Sequence, residues 1–151
     1  MRYFLDTEYN GFGGALLSLA LVPEDGGEEF YVTLACDAPI DPWVELHVLP
    51  FLDMVPDGLR SERLSRRAAA EALAGWLAYD EAPDIIADWP EDLAQFSMLL
   101  VTGPGLMVTV PELTLRFVPL QGFSTAANST VPHNALHDAR ALRDHVIGVE
   151  P

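Results

Sequence analysis

Arg2-Tyr3-Phe4-Leu5-Asp6-Thr7-Glu8 is the stretch whose reading decides the fold. Tyr3, Phe4 and Leu5 have the aromatic and apolar character of a strand that enters a core. Side chains alternate along a strand, so Asp6 and Glu8 point the same way. Two like charges on one face repel, and burying them uncompensated is costly. Either the strand ends in solvent with two hydrated acids, or a divalent cation balances them. A hard cation such as Mg2+ takes oxygen ligands, commonly one or two carboxylates plus a substrate's phosphates.

Outward from this strand the order of elements is α/β. Gly11 to Gly14 reads as a turn, residues 15–22 as an apolar strand, and Pro23 to Gly27 as a hairpin-like connection. Residues 28–35 form a third strand, with Phe30, Val32 and Leu34 alternating. Asp41 and Pro42 start a helix as N-cap and first helical residue, and Pro50 kinks or ends it. A longer helix spans about 65–79, a short buried strand 83–87, a helix about 89–101, a strand 113–118 and a last helix about 135–147. Three strands followed by helices alternating with strands predict a single domain, residues 1–151, built on one mixed sheet flanked by helices.

Composition limits the function classes. Half of the 151 residues are apolar and 21% are charged, as in a folded globule rather than a disordered chain. The single cysteine, Cys36, precludes an internal disulfide; it reads as a small core residue in a reducing, cytoplasmic setting. The apolar run 15–22 is too short for a membrane span, which needs ~20 residues. Asp6 and Glu8 occupy the place of a signal peptide's basic region, so neither targeting nor membrane association is expected. The net charge is −15, and all eight basic residues are arginines. That balance argues against a protein that coats long nucleic acid. Arg60, Arg63, Arg66 and Arg67 cluster, either as a solvated helix face or as a local phosphate patch.

Two further clusters carry acids. In Asp88-Trp89-Pro90-Glu91-Asp92, Asp88 and Glu91 have the spacing of a capping box. Asp92 falls in line with Phe96 and Leu99 on the core-facing stripe, where an acid needs a partner or a metal. In His133-Asn134-Ala135-Leu136-His137-Asp138, Asn134 is a good N-cap and Asp138 borders the buried stripe of Ala135, Ala139, Leu142 and Val146. His137 shares a polar face with Arg140 and Asp144 and reads as a surface histidine. His133, in the preceding loop, can swing over a site that Asp138 helps to build.

Asp6-x-Glu8, then Asp92, then His133-x-x-x-x-Asp138 resembles the DEDDh group of 3′–5′ exonucleases. This is the superfamily of ribonuclease T, oligoribonuclease and the proofreading subunits. The similarity runs from residue 3 to 146 and looks closest to small bacterial 3′–5′ exoribonucleases. In the second motif the chain departs from the usual pattern, which often sets an Asn and an aromatic residue ahead of the acid. Asp88 therefore stands beside Asp92 as a candidate ligand. The resemblance implies a ribonuclease H-like fold and a hydrolase that releases nucleoside 5′-monophosphates from the 3′ end of single-stranded RNA or short oligonucleotides. It implies two Mg2+ or Mn2+ ions held by Asp6, Glu8, Asp92 and Asp138, with His133 as general base. Thr7, Tyr9 and Phe12 would contact the terminal nucleotide; Tyr9 and Phe12 either stack on its base or simply pack beside the strand.

Competing readings are a DNA exonuclease or proofreading subunit, and a catalytically weak module that binds nucleic-acid ends on the same fold. The first would need a docking tail for a polymerase. The second would need a lost ligand, and all five motif residues are present. A monomer and a homodimer are both compatible with the sequence.

Overall fold

A computed structural model describes residues 1–149. Strands β1 (Arg2–Tyr9), β2 (Leu16–Pro23) and β3 (Phe30–Thr33) come first, followed by helices α1 (Pro42–His47) and α2 (Arg66–Leu77). Strand β4 (Asp84–Ala87) leads into α3 (Pro90–Leu100), the small hairpin of β5 (Val101–Gly103) and β6 (Leu106–Met107), and β7 (Thr114–Phe117). The short helix α4 (Thr125–Asn128) and the long α5 (Ala135–Val149) complete the order. The main sheet runs β3-β2-β1-β4-β7. β1, β2 and β3 are antiparallel neighbours, whereas β4 runs parallel to β1 and β7 parallel to β4. This is the mixed, helix-flanked α/β sheet expected from the sequence.

Alternation along β1 sorts the core into two layers. Tyr3 and Leu5 pack with Ile85, Leu73, Leu77, Phe96 and Leu99 under α2 and α3. Phe4 packs with Ile86, Leu142 and Val146 under α5. Asp6 and Glu8, two and four residues beyond Phe4, consequently share the α5 face, while Thr7 follows Leu5 to the α3 face. The strand thus delivers polar groups to both sides of its C-terminal end.

The caps at Asp41 and Asn134 fall where the sequence places them, and the structure adds one at Ser65. Asp41 Oδ1 accepts from the N–H groups of Trp43 at 2.8 Å and Val44 at 3.4 Å. Ser65 Oγ accepts from Ala68 at 3.2 Å. Asn134 Oδ1 accepts from Leu136 at 3.1 Å and His137 at 3.4 Å.

The capping box at Asp88 and Glu91 does not form. The N-cap is Trp89, at φ −124° and ψ 130°, with no side-chain cap bond. Pro90 is the cause. It occupies the first helical position and holds the residue before it extended, which moves the cap one residue past Asp88. Glu91 instead accepts the Gly13 N–H at 2.9 Å, tying α3 to the turn after β1.

The arginine cluster also differs from a single helix face. Only Arg66 and Arg67 lie on α2. Arg63 grips Asp53 through both guanidinium nitrogens, at 2.7 and 3.0 Å, and donates to Thr33 Oγ1 at 3.0 Å. Arg60 donates to the Asp53 carbonyl at 3.2 Å. The Arg63 hydrogen bonds hold the Asp53 carboxyl below its ordinary range. Half-buried Cys36 packs beside Leu17, Val44, Val48 and Leu52. No helix among the described residues is long and apolar enough to cross a membrane.

Candidate metal centre

Five segments meet at the C-terminal end of β1: the strand itself, the start of α3, the stretch that enters α4, the loop before α5 and the first turn of α5. They enclose a cavity of about 330 Å³ that Asp6, Glu8, Asp88, Asp92, His133 and Asp138 line together. All five motif residues are therefore brought to one place, and Asp88 joins them. Asp6, Asp92 and Asp138 are buried, at 7%, 3% and 3% exposure. Three buried carboxylates in one cavity cannot all stay ionised without a counter-charge.

Each acid is fixed by its own chain neighbourhood. Thr7 reaches Asp92 Oδ1 with its N–H at 3.2 Å and its hydroxyl at 2.6 Å. Expected to touch a substrate, Thr7 has its hydroxyl spent in orienting Asp92. Asp138 Oδ2 accepts the His133 N–H at 3.3 Å, while its Oδ1 is buried with no hydrogen-bond partner. An orphaned buried carboxylate oxygen calls for an ion or a water. Ligand atoms of Glu8, His133 and Asp138 all lie within 4.8 Å of one another. His133 sits at φ 61°, a left-handed conformation uncommon outside glycine, and such strain concentrates at functional sites.

The electrostatics agree. Burial pushes the Asp6 carboxyl well above its ordinary value, and the charges of Asp92, Glu8, Asp138 and Asp88 push it further. Glu8 is raised to about 8 by burial, then by Asp138 and Asp92. Burial raises Asp92 to about 7 against the lowering effect of the Thr7 hydrogen bonds. Asp138 is raised to about 6, again by burial, with the Ser129 and His133 hydrogen bonds opposing. Asp88 is raised mainly by burial. Burial, and then His47, lowers His133. A hard divalent cation fits this donor set: it would neutralise the mutual repulsion and could take up the orphaned Asp138 oxygen.

A second hollow of about 330 Å³ continues from the first, sharing Thr7, Glu8, Tyr9 and Trp89 with it and adding Phe12, Trp43 and Glu91. Phe12 is fully exposed, so it does not pack beside the strand. Tyr9 is half-buried. Trp43 and Trp89 are 50% and 57% exposed. Trp43 meets His133 edge-on at 5.0 Å and stacks on His47 at 4.6 Å. Sequence reasoning missed Trp43 and Trp89 as wall residues. It also missed Phe123 and Ser124, which line the acidic cavity from the chain just before α4. Trp89 had a signal, since it lies between two proposed site acids.

His137 is not a free surface histidine. Its Nε2 donates to the Met54 carbonyl at 2.8 Å, which leaves Nδ1 to accept the Thr130 hydroxyl at 2.7 Å. It ties the loop before α5 to the segment after α1. His137→Ala should therefore lower stability by about 1 kcal/mol, the net contribution of hydrogen bonds made at a solvent-accessible site. An unchanged denaturation midpoint would contradict that bracing role.

The chain matches no protein-family model and no curated protein.

Proposed function

We propose that this protein is a metal-dependent 3′–5′ exonuclease acting on single-stranded RNA ends or short oligonucleotides, on a ribonuclease H-like fold. One observation carries the reading: the five motif residues, scattered from position 6 to 138, line one cavity beside an aromatic cleft. The sheet order, with an antiparallel three-strand unit followed by two parallel strands, supports the fold-family assignment.

Asp6, Glu8, Asp92 and Asp138 would hold two Mg2+ or Mn2+ ions, with Asp88 adding negative charge at the rim. When bound, such ions neutralise a scissile phosphate and lower the pKa of a coordinated water. The remaining roles belong to the chain. Thr7 aims Asp92, and the His133 main chain anchors Asp138. The His133 imidazole, kept neutral by burial, is suited to accept a proton from the attacking water. Tyr9, Phe12, Trp43 and Trp89 present ring faces and edges to one or two terminal bases, where stacking contributes about 1–3 kcal/mol per base.

The direct test is digestion of matched 5′-labelled RNA and DNA oligomers with Mg2+, with Mn2+ and with EDTA. A ladder shortening from the 3′ end, dependent on metal and faster on RNA, is the expected result. Endonucleolytic products, or no products on either polymer, would overturn the assignment. Faster shortening of DNA would overturn its RNA half.

Two substitutions probe the roles. His133→Ala should lower kcat by about 10²–10⁴, the range for a lost general base, with metal binding largely kept. Asp88→Asn should leave stability nearly unchanged at neutral pH, because no cap bond is lost. It should weaken metal binding by roughly tenfold, as expected for a group just outside the ligand set. Calorimetric titration with Mn2+ checks both; wild-type affinity in Asp88→Asn would remove it from the site.

A further inference from the structure

A hollow of about 690 Å³ lies alongside α3. Gly13 and Gly14 of the turn after β1, Gln95 and Met98 of α3, and Arg66 and Arg67 of α2 line it together. We propose that this groove receives the phosphodiester backbone upstream of the terminal nucleotides, so that a single strand runs from the acidic cavity along α3 to the two arginines. The proposal rests on the exonuclease reading and adds the path of the uncut strand to it.

Continuity is the first argument. The acidic cavity and the aromatic cleft share Thr7, Glu8, Tyr9 and Trp89, and the cleft and the groove share Glu91. Along α3 the six residue steps from Asp92 to Met98 span about 9 Å at 1.5 Å per step. In this reading the cavity and cleft take the terminal nucleotides, and a longer strand must leave by some route.

Charge is the second argument. Five acids line the cavity. Glu8, Asp41 and Glu91 line the cleft with no basic residue. The groove alone on this line carries basic residues, Arg66 and Arg67, beside Glu91. In a chain of net charge −15 that is where a polyanion can rest.

The arginines retain capacity for phosphate. Arg66 donates to the Met98 carbonyl, which holds its guanidinium across the groove. One carbonyl takes one of five N–H donors. Arg67 pairs with Glu71 at 3.0 Å, but both side chains are exposed, at 77% and 59%. Such a pair is weak and yields readily to a phosphate, which guanidinium binds with two parallel hydrogen bonds. Close by, Gln95 donates to the Gly14 carbonyl at 3.0 Å and keeps that turn in place.

The test uses a 5′-labelled RNA heptamer and a dinucleotide with wild type, R66Q/R67Q and R66K/R67K. Binding of the heptamer is read by anisotropy in EDTA, where no cleavage occurs; turnover of both is read with Mn2+. R66Q/R67Q should weaken heptamer binding about tenfold and raise its KM alike, with kcat kept and the dinucleotide changed less than twofold. R66K/R67K should restore most of the loss. Two phosphate contacts give a log–log salt slope near −1.4, at about −0.7 per phosphate, and the slope should flatten towards zero in R66Q/R67Q. A heptamer that binds wild type and R66Q/R67Q equally, or binds neither, overturns the groove. Equal losses on heptamer and dinucleotide overturn it too. Arginine-dependent binding without any 3′ shortening in Mn2+ would keep the groove and overturn the exonuclease reading alone.

Discussion

Asp92→Asn and Asp138→Asn should each lower kcat/KM by about a thousandfold or more, the order seen when a group acting directly on transition-state charge is removed. Neither variant should unfold. Asp92 and Asp138 are buried carboxylates whose ionised forms are disfavoured by burial. A neutral amide of the same shape relieves that cost. The variants should therefore match or exceed the metal-free wild type in thermal stability while losing turnover. This split separates a metal ligand from a structural acid, whose loss would lower both. The Asp92 case is the sharper one, because Thr7 donates twice to Oδ1 and an amide oxygen can still accept both bonds. Geometry is kept and only charge is lost. Asp88→Asn, with no cap bond to lose, serves as the comparison. If it abolishes turnover while Asp92→Asn does not, the second ligand is Asp88.

Most of the sheet was readable because its signals are local. Alternation along residues 2–8 decides that Asp6 and Glu8 share a face with Phe4; that this face meets the last helix is seen only in the packing of Phe4 on Leu142 and Val146. The caps at Asp41 and Asn134 are likewise written within three or four residues. What failed was set by a neighbouring residue or by distant chain. Asp88 and Glu91 have capping spacing, yet Pro90 shifts the cap to Trp89, so both acids are released for other contacts. The hairpin β5–β6 is built from strands of three and two residues, too short for a periodic signal.

Exposure is the property least available from sequence. Phe12 left two readings open, stacking or packing, and only the assembled surface shows it fully exposed. Trp43 follows a helix start and carries no sequence signal of its contacts with His47 and His133. His137 looked free on its own helix because one of its two partners, Met54, lies 83 residues away. The arginine cluster divided for the same reason: Arg63 is consumed by Asp53, whereas Arg66 and Arg67 face a groove made by α3 and the turn after β1.

The metal-free protein should lose stability as pH rises from about 5 to 8, and a divalent cation should reverse the loss. The sign follows from the raised carboxyls. A group whose folded-state pKa lies above its unfolded value favours folding while protonated. That contribution is complete below the unfolded values of 3.8 for Asp and 4.5 for Glu. It is lost as pH climbs through about 6 for Asp138, 7 for Asp92 and 8 for Glu8. These acids repel one another and give up their protons as a set, so the loss is spread across the interval. A net shift equivalent to one group moved by two pH units is about 3 kcal/mol. For a chain of this size that lowers Tm by roughly 6–12 °C. Mn2+ or Mg2+ competes with those protons, so its binding releases them and its stabilising effect grows with pH. Thermal melts at pH 5, 6.5 and 8, each with EDTA and with 5 mM Mn2+, measure both effects. The expected pattern is a Tm in EDTA that falls with pH and a cation-induced rise that is largest at pH 8 and small at pH 5. Asp6→Asn removes the carboxyl that the others push up most directly, and it should flatten the EDTA profile. A wild-type Tm in EDTA that is level or rising over this range would mean that the carboxyls are ionised and solvated without a metal. The cavity would then be a hydrated acidic cleft rather than a cation site.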